Sequence, residues 1–508
     1  MPPRRRAFAP ALIAALCAIG LAAGPAAAAT PTGFAAASSG VQHLHLKYGP
    51  IKITPGQNFI KTELRGIPQP KVDGYMVGFF PNLRYAVGKG HKKLGAVPRV
   101  DVIHLHHGVW LSADGRRDAS SNLPVERFAA AGEEKTRLRF PKGYGYVYRK
   151  SDHWILNYMI HNLTDAPTRV WITYDVDFIP AAAPQAKKMR AARPIWMDVQ
   201  NGSIYPVYDA LRGMGKKGRY TYPQQAKNPY PKGVHKNRWT VDRDGVLIAT
   251  AGHLHPGGLH TDLWDRRNGR TVHLFRSTAH YFEPAGAVSW DVSMTATRPS
   301  WNVQVKKGDT LSVSSTYDVK RASWYEVMGI MVVFMADGQG GTDPFKHKVD
   351  RAGTLTHGHL AENRHHGGQN IGMATAFALP VGAVGGTVNI AHFIFGRGSL
   401  NAESAIPRVR RGRSLTFKNL DQDGLKAAAW HTITACKYPC NRSTGIAYPI
   451  ANGSVKYQFD SGQLGTSPTG APTTGSITWK TPASLPVGTY SYFCRVHPFM
   501  RGAFRVIQ

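Results

Sequence analysis

Short apolar runs separated by turn residues dominate the chain. Stretches rich in Val, Ile, Thr and aromatic residues last a few positions and give way to Gly, Pro and Asn, while apolar spacing of the helical kind is scarce. Segments such as Trp154-Ile155-Leu156-Asn157-Tyr158-Met159-Ile160-His161 and Ser289-Trp290-Asp291-Val292-Ser293-Met294 put apolar side chains on one face and predict sandwich strands. The fold class expected is all-β. Two breaks interrupt the pattern. A basic, proline-rich stretch from Ala186 to Arg238 reads as a crossing between two β domains, and from about Gly340 to Leu379 Gly and His dominate and apolar periodicity lapses. No short-period repeat is found.

The N-terminus departs from this texture. Arg4, Arg5 and Arg6 precede an apolar run that ends in Ala27-Ala28-Ala29, which predicts a signal peptide over residues 1–29 and an extracytoplasmic mature protein, periplasmic, wall-associated or secreted. Arg5-Arg6-Ala7-Phe8 also resembles the core of a twin-arginine signal, so the export route stays open. No second apolar run is long enough to span a membrane. Charge adds a preference for polyanions: 63 Lys and Arg stand against 31 Asp and Glu. In an exported protein these partners are anionic envelope polymers or lipid headgroups, and no nucleic-acid motif accompanies the charge. A solvated basic surface without a specific partner fits the composition as well.

Chemistry enters near the C-terminus. Phe493-Cys494-Arg495-Val496-His497-Pro498-Phe499-Met500 sets a thiolate, an imidazole and a thioether on one short loop, and His431 in Trp430-His431-Thr432-Ile433 supplies a second imidazole. Two imidazoles and a thiolate with a weak axial thioether make a type 1 copper site. The C-x2-H-x2-M spacing, with the residues through Arg501-Gly502, resembles the amicyanin-type cupredoxins over roughly the last quarter of the chain. Of the four cysteines, Cys17 falls in the signal and Cys494 is the expected ligand. Cys436 and Cys440 are left as a local disulfide or as two free thiols.

A second set of copper-type ligands occupies the middle of the chain. Ile103-His104-Leu105-His106-His107 is followed by His161, then by Gly252-His253-Leu254-His255, and then by Met328 in Tyr325-Glu326-Val327-Met328-Gly329. This order, with Ala279-His280-Tyr281 and Lys307-Gly308-Asp309 between the last two elements, resembles the copper type II monooxygenases (peptidylglycine alpha-hydroxylating monooxygenase and dopamine beta-hydroxylase). The resemblance covers roughly Val41 to Gly340. It implies that His106, His107 and His161 hold an electron-storing copper, and that His253, His255 and Met328 hold the catalytic copper that meets dioxygen, with Met331 and Met335 as neighbouring alternatives to Met328. A strand with period two would instead pair His104 with His106, so adjacent ligands require a bulge or a strand end there, and His104 is held in reserve.

Together the two resemblances imply two tandem β-sandwich (jelly-roll-like) copper domains followed by a Greek-key cupredoxin β-sandwich. The expected boundaries are 41–185 and 186–340 for the first two, 341–382 for a Gly/His-rich linker and 383–508 for the cupredoxin domain. The cofactor expected is copper, one type 1 ion and two further mononuclear ions. The partners expected are an external electron donor or redox protein, dioxygen and a small organic substrate. Peptide hydroxylases of this kind carry polar groups where this chain has Ala251, Ile330 and Val332, so a hydrocarbon-like or aromatic substrate is expected instead. A multicopper oxidase would need a histidine beside Cys494, where Arg495 stands. The linker histidines His357, His359, His365 and His366 read as parts of a solvated connector. The main expectation is thus an exported copper-dependent monooxygenase with a fused electron-transfer domain. The alternative is a non-catalytic copper protein on the same scaffold.

Overall fold

The architecture comes from a computed structural model. It describes residues 40–508 apart from 55–59, 101, 122, 164–165, 204–205, 231–235, 283–289, 321–323, 364–380, 400–404, 422–430, 437–456, 463, 466–474 and 495–499. Among the described residues regular structure is β-strand, with three short 3-10 turns and no α-helix. The expected signal peptide lies outside the described residues, and no helix among those described is long and apolar enough to cross a membrane.

The first sandwich has one sheet built on Gln42–Ile53, Thr168–Pro180 and Gly74–Val87, extended by Leu138–Arg139 and Tyr144–Tyr148. The facing sheet runs Ile60–Glu63, Trp154–Asn162, Ile103–Ser112, Glu126–Gly132. Aromatic side chains fill the space between them: Phe79 meets Trp110 edge-on with ring centroids 4.8 Å apart, and Phe128 lies 4.8 Å from Trp154. In Trp154–Asn162 the side chains Trp154, Leu156, Tyr158 and Ile160 all point into this core, as period two requires. From Met159 onward both faces of that strand are buried. There it leaves the simple half-buried pattern and enters a junction with the next unit.

In the second sandwich Arg190–Asp198, Ile330–Asp337 and Gly245–His253 lie side by side against a sheet that includes Thr310–Asp318, Gly258–Arg267 and Arg270–Tyr281. Leu247, Leu263, Phe275, Val313, Met331 and Val333 form its core. Backbone pairing passes between the two units through Arg190↔Tyr144 and Ala191↔Gly145, and Phe334 of the second packs on Phe140 of the first with centroids 4.8 Å apart. Apolar packing therefore runs across the junction.

Two expectations about connections need correction. The stretch from Ala186 to Arg238 is no mere crossing, because Arg190–Asp198, Tyr208–Ala210 and Arg219–Tyr222 all pair within the second unit. Lys187 and Lys188 precede the first of these strands, Lys216 and Lys217 fall between the second and third, and Pro194 stands within Arg190–Asp198, which obscured the strand pattern. The 341–382 linker likewise starts as part of the second sandwich. Thr342 bridges Val303, Gly353–Leu355 pairs with Val292–Thr297, and residues 364–380 alone lie outside the described residues.

The C-terminal unit is a further sandwich. One sheet has the order Val381–Val384, Ile406–Arg410, Arg501–Ile507, Gly488–Phe493, Thr434–Cys436, Tyr457–Asp460, and the other Ile394–Phe395, Thr387–Ala391, Thr416–Asn419, Thr478–Lys480. Phe395, Phe417, Phe459, Tyr492 and Phe504 pack between them.

Candidate metal centres

The C-terminal ligands lie at one end of the sandwich. Strands Gly488–Phe493 and Arg501–Ile507 form a hairpin in which Phe493 faces Arg501, so Cys494 and Met500 flank the loop that joins them. The Cys494 N–H donates to the Met500 carbonyl at 3.1 Å, and both side chains are buried. His431, fully buried, places Nδ1 3.8 Å from Cys494 Sγ. That separation lets both atoms bond one ion at about 2.0–2.3 Å. His431 Nε2 pairs with Asp421 Oδ2 at 2.9 Å, which orients the ring and leaves Nδ1 directed at the sulfur. The Thr432 N–H donates to Cys494 Sγ at 3.3 Å, a bond that stabilises thiolate. Burial disfavours charge on His431, yet Asp421 and Cys494 raise it to about 9. His497, Trp430 and Cys440 lie outside the described residues, as does the side chain of Cys436, so the disulfide expectation does too. Asp421 was not singled out from sequence; an acidic residue ten positions before a ligand histidine has no distinctive signature.

The mid-chain histidines meet in a single cluster at the junction of the first two sandwiches. Ile103–Ser112 pairs with Trp154–Asn162, His104 stands opposite His161, and the register slips between Leu105 and His107, making His106 a bulge. The bulge that adjacent ligands require is therefore present, and it gathers His104, His106 and His107 together. Ligand atoms of His104, His106 and His161 all lie within 4.8 Å of one another, as do those of His106, His107 and His255, and those of Glu133, Glu134 and His253. His107 Nε2 is 3.3 Å from His255 Nε2. The ligands expected for two separate coppers are thus interleaved, and His104 joins His106 and His161 as period two suggested.

The surroundings hold several of these rings in fixed orientations. His104 Nδ1 bonds the Val100 carbonyl and His253 Nδ1 bonds Glu134 Oε2 at 2.8 Å, while the Glu326 carbonyl accepts from His255. These outer bonds fix the tautomers and turn the other nitrogens inward. His104 Nε2 and His253 Nε2 are buried with no hydrogen-bond partner, while His106 Nδ1 stands 3.3 Å from buried Glu133 Oε2 without hydrogen-bond geometry. Orphaned buried imidazole nitrogens are what a metal ion satisfies, and imidazole-rich donor sets suit copper, zinc or iron. Burial lowers His104 to about 3 and pushes His106, His107 and His255 well below the usual range, helped for the last three by neighbouring imidazoles. Their lone pairs are therefore free of protons at neutral pH. Burial also opposes charge on His253, but Glu134 and Glu133 raise it to about 8, and burial lifts Glu133 to about 8. Gly132 makes room for this arrangement: a Cβ there would stand 2.6 Å from the His106 carbonyl oxygen and 2.8 Å from His253 Cε1.

Met328 is placed differently. Its buried side chain belongs to an apolar cluster with Trp196, Val207 and Ile330, flanked by Val332. Its carbonyl accepts from the Tyr317 hydroxyl at 2.7 Å, and that hydroxyl in turn accepts the His255 N–H at 3.0 Å. Met331 and Met335 lie in the second sandwich core. Ile330 and Val332, expected to line a substrate site, are taken up by packing around Met328.

Glu133, Glu134 and Trp290 are site residues that sequence reasoning passed over. Trp290 closes the cluster, its ring centroid 4.6 Å from His104 and 5.5 Å from His161. An acidic pair at the end of the apolar strand Glu126–Gly132 was the available signal for the two carboxylates. Of the linker histidines, His357 and His359 take structural partners instead, and His365 and His366 lie outside the described residues. His359 pairs with buried Asp291 at 2.7 Å, and His357 Nε2 bonds the Val292 carbonyl at 3.0 Å. Beside the cluster, a cavity of about 550 Å³ is lined by Lys47, Arg84, Lys135, Arg137 and the strap His357–Glu362. It shares Pro81, Asn82, Val97 and Lys135 with a space of about 10 Å³ that reaches His104 and Glu133.

A model of the family described as Stress up-regulated Nod 19 matches residues 220–338, which include His253, His255 and Met328. No curated protein matches the chain. Solved structures similar to it include the Cu(I) form of a mutant amicyanin, at 20% identity over 26% of this chain and 89% of that one, with a TM-score of 0.14. They also include the Cu-containing nitrite reductase from Thermus scotoductus SA-01, at 11% identity over 53% of this chain and 59% of that one, with a TM-score of 0.15.

Proposed function

We propose that this chain is an exported copper oxidoreductase in which a C-terminal type 1 site passes electrons to copper held by the buried histidine cluster. The observation that carries the reading is the convergence of the buried imidazoles, with orphaned nitrogens on His104 and His253 in rings that Val100 and Glu134 hold from behind. Copper bound there supplies one-electron chemistry toward dioxygen, and hydroxylation of a C–H bond is the reaction class proposed. The residues divide the remaining work. His431, Cys494, His497 and Met500 hold the electron-transfer ion. His104, His106, His107, His161, His253 and His255 hold the reactive metal, Glu134 keeps His253 in place, and Trp290 excludes water from one side. Met328 is proposed to act from beside His255 through Tyr317 or, after a change of rotamer, as a soft ligand. The cavity beside Lys135 meets the cluster only through a water-sized space, and its lining is more polar than Ile330 and Val332 alone suggested.

Oxygen uptake with an electron donor and candidate substrates tests the reading. A copper-loaded protein that consumes oxygen and forms hydroxylated product, and that loses both on His255→Ala while keeping its blue colour, supports it. Cycling of the blue colour with no oxygen uptake across a substrate panel makes the chain an electron carrier instead.

A further inference from the structure

We infer that the mid-chain histidines form one paired metal centre, two ions standing side by side around His106, in place of two isolated ions. The inference rests on the copper reading above and goes beyond it, since that reading requires metal at the cluster but not how many ions or how near.

Donor count is the first argument. Six histidines with Glu133 and Glu134 fall into three groups, two of which share His106, and together they exceed what one four-coordinate ion takes up. Their overlap is the second. His106 belongs both to the group with His104 and His161 and to the group with His107 and His255. Its ring centroid lies 4.2 Å from that of His161, 4.1 Å from His107 and 4.5 Å from His255. Two ions bonded at about 2 Å to the two ring nitrogens of His106, whose N–H proton is released to solvent as the second ion binds, stand no more than roughly 6 Å apart. The third argument is the fit of each half. The 3.3 Å between His107 Nε2 and His255 Nε2 is what two bonds of about 2 Å to one ion subtend near the tetrahedral angle. On the other side His104 directs an orphaned Nε2 inward, locked by the Val100 carbonyl behind it. Glu133 adds a buried carboxylate, one oxygen of which stands 3.3 Å from His106 Nδ1. No apolar wall stands between the halves: His106 is the group that separates them. Such a centre can deliver two electrons to one small molecule without transfer across a long gap.

The test is a comparison of copper content with spin content in the full-length, oxidised, copper-loaded protein, by metal analysis and integrated electron paramagnetic resonance. The expected result is three coppers per chain. About one spin should appear as a blue signal, the other two coppers being silent or giving a dipolar-split spectrum with a half-field line. Three coppers with three independent spins would overturn the pairing and leave the copper reading intact. One blue copper in protein offered excess metal would overturn the reading beneath it. His106→Ala supplies a second arm: the pair predicts loss of spin coupling with the blue signal unchanged, whereas isolated sites predict a spectrum that changes at one site only. If this variant does not fold, copper–copper scattering by X-ray absorption on the unmodified protein decides the same point.

Discussion

The two candidate centres are built in opposite ways. The C-terminal site takes Cys494 and Met500 from the two ends of one hairpin and His431 from 63 residues before Cys494 in the same unit. The mid-chain cluster collects His104 to His107, Glu133 and Glu134, His161, and His253 to His255 from four strands or strand ends in two sandwiches. The first needs only its own unit to fold. The second exists only when two units are joined, and its ring nitrogens are oriented by groups from both, Glu134 reaching His253 across 119 residues of chain. Independence of the two is the sharpest consequence. Cys494→Ser should abolish the blue absorption and remove one copper per chain, while copper at the cluster is unchanged; optical spectra and metal analysis check both. A parallel loss at the cluster would mean that the centres are not separately built.

The groups behind the ligands extend the comparison. Glu134→Gln keeps the size of the side chain but weakens its hold on His253 Nδ1, and outer partners of this kind are worth about 10–100-fold in metal affinity. Asp421→Asn does the same behind His431. Each change should weaken its own centre by about that factor and leave the other alone, as competition with a calibrated chelator would measure. If Glu134→Gln leaves cluster affinity unaltered, His253 is not a ligand.

This contrast also explains what could be read from sequence. The C-terminal candidate ligands could be picked out from sequence because one short spacing sets them together, and the structure buries His431, Cys494 and Met500 at one end of the sandwich. The strands were legible wherever one face is buried and the other half-exposed, as in Trp154 to Ile160. Legibility failed at the junction. Strands such as Gly245–His253 are buried on both faces there, and period two no longer says which way a side chain points. Assigning His106 with His107 to one ion and His253 with His255 to another followed chain order, but the bulge at His106 and the docking of two sandwiches interleave them. Glu134 was missed for the same reason, since its partner His253 comes from the other unit. Gly132 belongs to this class too. Gly132→Ala would press on the His106 carbonyl and on His253, and overpacking at such a contact costs about 1–3 kcal/mol. Denaturant unfolding should register that loss, and cluster metal affinity should fall with it.

A third group of histidines shows what a purely structural cluster looks like. Around buried Asp262, His260 Nδ1 lies at 3.0 Å, His273 Nε2 at 2.7 Å and Arg276 Nε at 2.8 Å, and His273 Nδ1 meets Arg351 at 2.9 Å. Here the rings face a carboxylate and satisfy it; in the mid-chain cluster they face one another and leave nitrogens orphaned. Burial alone would raise the Asp262 carboxyl, but the bonds from His260, His273 and Arg276 outweigh it and hold it far below the usual carboxylate range. Because the folded value is depressed, the stabilisation is present above the unfolded carboxylate value near pH 4 and is lost as pH falls below it. Asp262→Asn should therefore destabilise the protein by about 1–3 kcal/mol at neutral pH and by less in acid. A chelator should not change that difference, whereas it should lower the melting temperature of the unmodified, copper-loaded protein by emptying the mid-chain cluster. Melting curves of both proteins with and without chelator separate the two kinds of histidine cluster. An Asp262→Asn effect that vanished on chelation would place metal at Asp262 and undo the distinction.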